Sequence, residues 1–139
     1  MNYSAACYLF ILALFGHLFG DYFFQPKAWA LQKSNRGWKA VALCSVHVLV
    51  YTLCVMALWK TAGWQVFVAV FVPHWVIDRW SLANKWLKLI RGRTFEDAFH
   101  SHDQYREFDI AFTSIVYTIV DNGAHLLSLW AVVNWWLLK

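Results

Sequence analysis

The stretch that decides the fold is the first apolar run, residues 3–24, YSAACYLFILALFGHLFGDYFF. About 20 apolar residues in a helix cross the hydrocarbon core of a bilayer, and this run is long enough. It carries His17 and Asp21, which lipid disfavours. No Lys or Arg precedes the run, and Asp21 and Gln25 stand where a signal peptide has small residues, so we expect it to remain in the mature protein. The run therefore predicts a transmembrane helix with polar side chains turned away from lipid.

Three further apolar runs follow, over residues 38–59, 64–82 and 110–138. Pro73 lies inside the third run and is expected to kink that helix. The segment after it, residues 84–90, is amphipathic and is expected to lie along the membrane surface. The predicted fold class is all-α, a single transmembrane domain that covers the whole chain. We expect an integral membrane four-helix bundle of four transmembrane helices, with a short amphipathic extension after the third.

Composition supports this class. The chain of 139 residues is 60% hydrophobic and 14% charged, whereas soluble domains are about a quarter charged. The net charge of +4 forms no basic stripe, so a nucleic-acid partner is not expected. Its three cysteines, Cys7, Cys44 and Cys54, lie in apolar runs without CxxC spacing. They indicate packing residues and not a disulfide framework or a zinc knuckle.

The basic residues predict the orientation of the chain. Ten of the 12 Lys and Arg residues lie in the segments 25–39 and 79–109, and only Lys60 and Lys139 lie elsewhere. Cytoplasmic loops carry an excess of basic residues. We expect a bacterial inner (cytoplasmic) membrane protein with both termini on the non-cytoplasmic side.

Seven polar residues stand inside the predicted helices, and each helix contributes at least one. Within a helix His and Asp are four residues apart, which places both side chains on one face. Such faces turned inward would bring the residues together near the cytoplasmic ends, with those of the fourth helix somewhat deeper. The candidate metal ligands are His17, Asp21, His47, His74, Asp78, Asp121 and His125.

The energetic cost of these residues favours a bound cation. An Asp at the centre of a membrane helix costs about 2.5–3.5 kcal/mol, and the chain has three. A divalent ion would neutralise the carboxylates and use neutral imidazoles as ligands. We expect one or two ions per chain, with zinc as the first choice and manganese or iron as alternatives.

Other interpretations of the seven residues stay open. They could form a hydrogen-bonded structural core, or a relay for protons or ions. Haem between paired His residues is disfavoured. Three of the His residues have an Asp four positions away, and these carboxylates would repel the anionic propionates of haem. Gln25 is a candidate hydrogen-bond partner of the ligands. His100 and His102, in a polar loop, are expected to bind nothing.

The chain resembles a family of small bacterial and phage integral membrane proteins, the domain-of-unknown-function family 3307. The resemblance covers nearly the whole chain, although Asn122 stands where the family pattern has Gln. The family is distantly similar to membrane-bound metal-dependent hydrolases, which implies a metal but no particular substrate. The matching positions are His17-Leu18-Phe19-Gly20-Asp21, Gln25, Lys33, His47, His74-Trp75-Val76-Ile77-Asp78, Asp121 and His125.

Together these features predict a membrane-embedded metal-dependent hydrolase acting on a lipid or lipid-linked ester or phosphoester. Asp121 is the candidate general base, and His47 is a ligand or a proton shuttle. The alternative is a non-enzymatic membrane protein: an ion or proton conduit, a metal carrier, or a small partner subunit with a polar structural core. Membrane lipids are the expected partners, and a homodimer is compatible with four spans although no motif indicates one.

Overall fold

The structure is a computed structural model that describes residues 3–92 and 94–138. Arg93 and Lys139, two of the basic residues used to predict the orientation, lie outside the described residues. All described secondary structure is helical, without a strand in these two ranges. The helices are α1 (Tyr3–Leu18), continued by a π-helical turn (Phe19–Phe23), α2 (Lys27–Gln32), α3 (Trp38–Trp59), α4 (Trp64–Arg79), α5 (Leu82–Arg91), α6 (Phe95–His100) and α7 (Arg106–Leu137).

Four of these helices pack in a closed ring. α1 contacts α3, α3 contacts α4, α4 contacts α7, and α7 contacts α1. By length and composition, α1 with its π-helical turn, α3 and α7 can each cross a membrane, and α4 with α5 makes a fourth candidate if this bent pair counts as one span. The chain is therefore compatible with a membrane protein that has three or four spanning helices.

α1 and α3 approach each other closely, and two glycines permit this approach. A Cβ at Gly16 would lie 2.7 Å from Val55 Cα, and one at Gly20 would lie 2.8 Å from Tyr51 Cα. Gly16 and Gly20 are four residues apart, the small-xxx-small spacing that lets membrane helices meet backbone to backbone. Each glycine precedes a polar residue, His17 or Asp21, so this contact brings both residues up against α3.

The interior of the ring divides into an apolar half and a polar half. The apolar half, nearer the chain termini, includes Ala13, Val55, Val66, Leu129 and Val133, all at most 1% exposed. Trp59 closes this end by donating from Nε1 to the carbonyl of Leu9, at 2.9 Å. The polar half holds the His and Asp side chains and faces the end where α2 and α5 lie.

The segments between the main helices are more structured than predicted. The segment 25–39 contains α2, and the segment 79–109 contains α5 and α6. Arg79 Nη1 donates to the carbonyl of Ser34 at 3.1 Å, which joins the two segments at one end of the ring. The two most basic parts of the sequence therefore lie on the same side of the molecule.

Two helix boundaries differ from the prediction by three or four residues. The third helix ends at Arg79 and not at residue 82, and α5 leaves it at an angle of 52°. Pro73 lies within the continuous helix α4, six residues before this bend. The last helix begins at Arg106, four residues before the predicted start, because its polar first turn extends the helix beyond the apolar run.

Candidate metal centre

Six of the seven predicted site residues lie in the polar half of the ring interior, each within 3.5 Å of at least one of the others. The seventh, Asp121, lies at the edge of this polar half. Asp21 lies in the π-helical turn, a feature often found at functional sites. The side chains of Asp21 and Asp121 are 12% and 21% exposed. The other five residues are between 0% and 3% exposed: His17, His47, His74, Asp78 and His125.

Asp21, His47 and His74 form one of two groups of potential metal ligands. His47 Nε2 lies 3.3 Å from His74 Nε2. Asp21 Oδ1 lies 3.2 Å from His47 Nε2 and 3.5 Å from His74 Nε2. Zinc bonds of about 2.0–2.1 Å in tetrahedral geometry separate the ligand atoms by about 3.3 Å. The three atoms therefore have the spacing of one face of a tetrahedral site.

His74, Asp78 and His125 form the second group. His74 Nε2 lies 3.1 Å from Asp78 Oδ2. His125 Nε2 lies 3.5 Å from Asp78 Oδ1, and the His125 ring stacks on that of His74 with centroids 4.1 Å apart. His74 thus belongs to both groups and connects them.

Asp78 already has a cationic partner. Lys33, the residue after α2, donates from Nζ to Asp78 Oδ2 at 2.7 Å, and the Lys33 side chain is only 12% exposed. His47 Nε2 lies 3.1 Å from the same oxygen. Asp78 is therefore satisfied without an added ion, whereas Asp21 has no Lys or Arg partner among the described residues.

Asn122 holds His17 in place from α7. His17 Nε2 lies 2.7 Å from Asn122 Oδ1, and the Asn122 amide nitrogen donates to the carbonyl of Thr118 at 2.7 Å and to the hydroxyl of Tyr22 at 2.5 Å. Because an amide oxygen only accepts, His17 donates from Nε2 to Asn122. Its Nδ1 lies 3.0 Å from Asp21 Oδ2, a contact that is a hydrogen bond when this nitrogen is protonated too. Asn122 therefore orients His17, which in turn lies against Asp21.

Gln25 connects the first group to Lys33. The hydrogen-bonding groups of its amide are satisfied when the side-chain nitrogen donates to the Asp21 carbonyl at 3.3 Å. The side-chain oxygen then accepts from Lys33 Nζ at 3.1 Å and lies 3.2 Å from His47 Nε2. Gln25 thus lies beside Asp21 and His47.

Unsatisfied polar atoms show that this donor set fits a metal ion. Within the described ranges, Asp21 Oδ1 and both ring nitrogens of His125 are buried and make no hydrogen bond. Buried polar groups are nearly always hydrogen-bonded, and each one left alone costs about 1–3 kcal/mol. With every imidazole neutral, the three ionised carboxylates (Asp21, Asp78 and Asp121) and the Lys33 ammonium would leave two negative charges. One divalent cation would balance them.

Two adjoining cavities reach the carboxylates. One of about 330 Å³ touches Asp78, and one of about 160 Å³ touches Asp21 and Asp121. Lys33, with Tyr117 and Thr118, forms a wall common to both. A molecule entering at the α2 and α5 end can therefore approach the buried groups without crossing the apolar half of the ring.

Two of the predicted ligands stand apart from the donor groups. Asp121 lies 3.8 Å from His125 Nε2 at the edge of the smaller cavity, and His17 is engaged by Asn122 and Asp21. Neither group found among the described residues includes them.

Sequence reasoning missed two residues of the centre. Lys33 was counted only as a topology signal and as a position of the family pattern. The role of Asn122 was not recognised, although it directly follows Asp121. Lys33 lies in a loop without periodicity, so no spacing argument could have aimed it at Asp78.

Comparison with known proteins identifies the family. The family model described as "Protein of unknown function (DUF3307)" matches residues 9–139. No curated protein and no solved structure matches the chain. Since the match covers nearly the whole sequence, the chain belongs to the DUF3307 family of proteins of unknown function.

Proposed function

We propose that this protein is a metal-dependent hydrolase of the bacterial inner membrane, acting on a lipid or lipid-linked ester or phosphoester. It would have four transmembrane helices, the bent pair α4 and α5 supplying the fourth. The observation that carries the proposal is the face of three donor atoms formed by Asp21, His47 and His74, with separations of 3.2–3.5 Å.

Zinc is the ion that suits this face best. Catalytic zinc sites commonly use three protein ligands of His and carboxylate type and keep a fourth position for water or substrate. Asp21 lines the smaller cavity, so the open position would face that space. A zinc ion held by these three residues would lower the pKa of a bound water and polarise the bond to be cleaved.

Asp121 is suited to act as the general base. It lines the same cavity as Asp21, and its partly exposed carboxylate makes no hydrogen bond to the donor groups. A carboxylate beside the reacting water can accept its proton. His47 is less suited to shuttle a proton, because Asp21, Asp78, His74 and Gln25 all crowd its Nε2.

A proton or ion conduit finds less support than hydrolysis. A conduit needs polar groups or water through the full thickness of the membrane. The polar residues lie in one half of the ring, and the other half is a packed apolar interior lined by residues such as Val55, Val66 and Leu129. The accessible cavities at the polar end suit a site that is entered from one side.

Elemental analysis tests the metal. Protein purified in detergent without chelator should hold about one zinc per chain, and His74→Ala should hold almost none because His74 belongs to both donor groups. His100→Ala, a change in the exposed loop, should keep the metal. Well under half an ion per chain in the unmodified protein would refute the proposal.

Activity needs a separate measurement. The zinc-loaded protein should release products from synthetic lipid esters or phosphoesters in mixed micelles, and Asp121→Asn should abolish turnover while retaining zinc. Metal without hydrolysis of any lipid tested would instead favour a metal carrier.

A further inference from the structure

Lys33 pairs with Asp78, but its side chain also lies where a molecule entering the site would meet it. Its ammonium lies 2.7 Å from Asp78 Oδ2, yet its side chain also lines both cavities at the polar end of the ring. Among the described residues that line these cavities, Lys33 is the only cation. Any molecule approaching the donor groups meets this charge.

From this position we infer that Lys33 binds the anionic phosphate of the substrate, so that the site takes a phosphoester and not a neutral ester. The inference rests on the proposed function and deepens it. A Lys ammonium binds phosphate as a point charge, and cationic clamps on phosphoryl oxygens are a common means of stabilising phosphoryl transfer.

Gln25 ties this position to the metal-binding face. Its side-chain oxygen accepts from Lys33 Nζ at 3.1 Å and lies 3.2 Å from His47 Nε2. The ammonium and the donor face are therefore separated by a single amide oxygen. One phosphate group could contact an ion on that face with one oxygen and Lys33 with another.

The carboxylates make this binding conditional on metal. Asp78 borders the larger cavity, and Asp21 and Asp121 border the smaller one. Without a bound divalent cation, the negative charges around Lys33 outnumber it and repel an anion. Phosphate should consequently bind the zinc-loaded protein and not the metal-free protein.

Binding measurements test the inference independently of turnover. The probes are inorganic phosphate, dioleoyl phosphatidate and, as a neutral control, dioleoylglycerol, each titrated into the zinc-loaded protein in detergent micelles. Both phosphates should bind, and dioleoylglycerol should bind at least tenfold more weakly than phosphatidate. Tighter binding of phosphatidate would identify a lipid headgroup as the source of the phosphate, and tighter binding of inorganic phosphate would identify the free anion.

Variants then assign the effect to Lys33. Lys33→Met should weaken both phosphates at least tenfold with unchanged zinc content, and Lys33→Arg should restore most of the binding. Lys27→Met, which removes an exposed charge at the start of α2, the short helix just before Lys33, should bind phosphate as the unmodified protein does.

Three results would overturn the inference. These are phosphate binding unaffected in Lys33→Met, loss of zinc from that variant, or dioleoylglycerol bound as tightly as phosphatidate. The last comparison needs no variant, so it decides the question even if Lys33→Met fails to fold. Absence of zinc from the unmodified protein would instead refute the proposed function.

Discussion

Nε2 of His47 lies 3.3 Å from Nε2 of His74, deep in the ring and within reach of Asp21 Oδ1. Two imidazole nitrogens at this distance either share a proton or face a common cation. The unsatisfied oxygen of Asp21 beside them favours the cation. The predictions below follow from this cluster and from the packing that holds it together.

Zinc should stabilise the fold. A ligand that binds only the folded state adds about 2.7 kcal/mol to the free energy of unfolding when its concentration is 100 times its dissociation constant. We expect a higher thermal unfolding midpoint in detergent with zinc than with a chelator, and no such shift in His47→Ala. Magnesium, which prefers oxygen ligands, should raise the midpoint less. Identical midpoints with zinc and chelator would count against a metal centre.

Asn122→Leu should weaken zinc binding without removing a ligand. The change takes away the acceptor 2.7 Å from His17 Nε2, and His17 then no longer orients Asp21. Loss of such supporting contacts typically costs about 10- to 100-fold in metal affinity. The control is Asn134→Leu, because Asn134 donates to its own helix at the Trp130 carbonyl. Equal zinc affinities in the two variants would show that Asn122 does not support zinc binding.

Gly20→Ala should separate α1 from α3. The added Cβ would lie 2.7 Å from Tyr51 Cδ2 and 2.8 Å from Tyr51 Cα, and overpacking of this kind costs about 1–3 kcal/mol. Zinc content should fall as well, since Asp21 follows Gly20. Gly123→Ala is the matched control, because its Cβ would meet nothing within 4 Å. Thermal unfolding and zinc content measured together check both effects, and a Gly20→Ala protein as stable as Gly123→Ala would contradict the close contact.

The orientation can be tested with fusions at the C-terminus. Alkaline phosphatase, which is active only outside the cytoplasm, should be active when joined after Lys139. Green fluorescent protein joined at the same place should not fluoresce, because it does not fold when it is exported in unfolded form. The opposite pair of results would place the termini in the cytoplasm and reverse the predicted topology.

The main helices follow from the sequence because their apolar length leaves few alternatives. The i, i+4 spacing of His17 with Asp21 and of His74 with Asp78 also predicts that each pair shares a face, and the distances of 3.0 and 3.1 Å within the pairs agree. The start of the last helix was predicted at residue 110, but the helix begins at Arg106. Hydrophobicity marks the apolar run and not the polar turn that extends the helix before it.

Contacts between distant segments were harder to predict. Gly16 and Gly20 carried a readable signal of close helix packing, but nothing in the sequence named α3 as the partner. The approach of Lys33 to Asp78 depends on how α2 folds back over the ring, and a flexible four-carbon side chain adds no periodic signal of its own.

His74 Nε2 lies 3.5 Å from an oxygen of Asp21 and 3.1 Å from an oxygen of Asp78. That nitrogen has a single lone pair to offer, so two ions cannot use it at once. The two donor groups are then alternative binding sites for one ion, and an ion bound at one group prevents binding at the other. A titration with zinc should therefore saturate at one equivalent per chain, and a second equivalent should stay in solution.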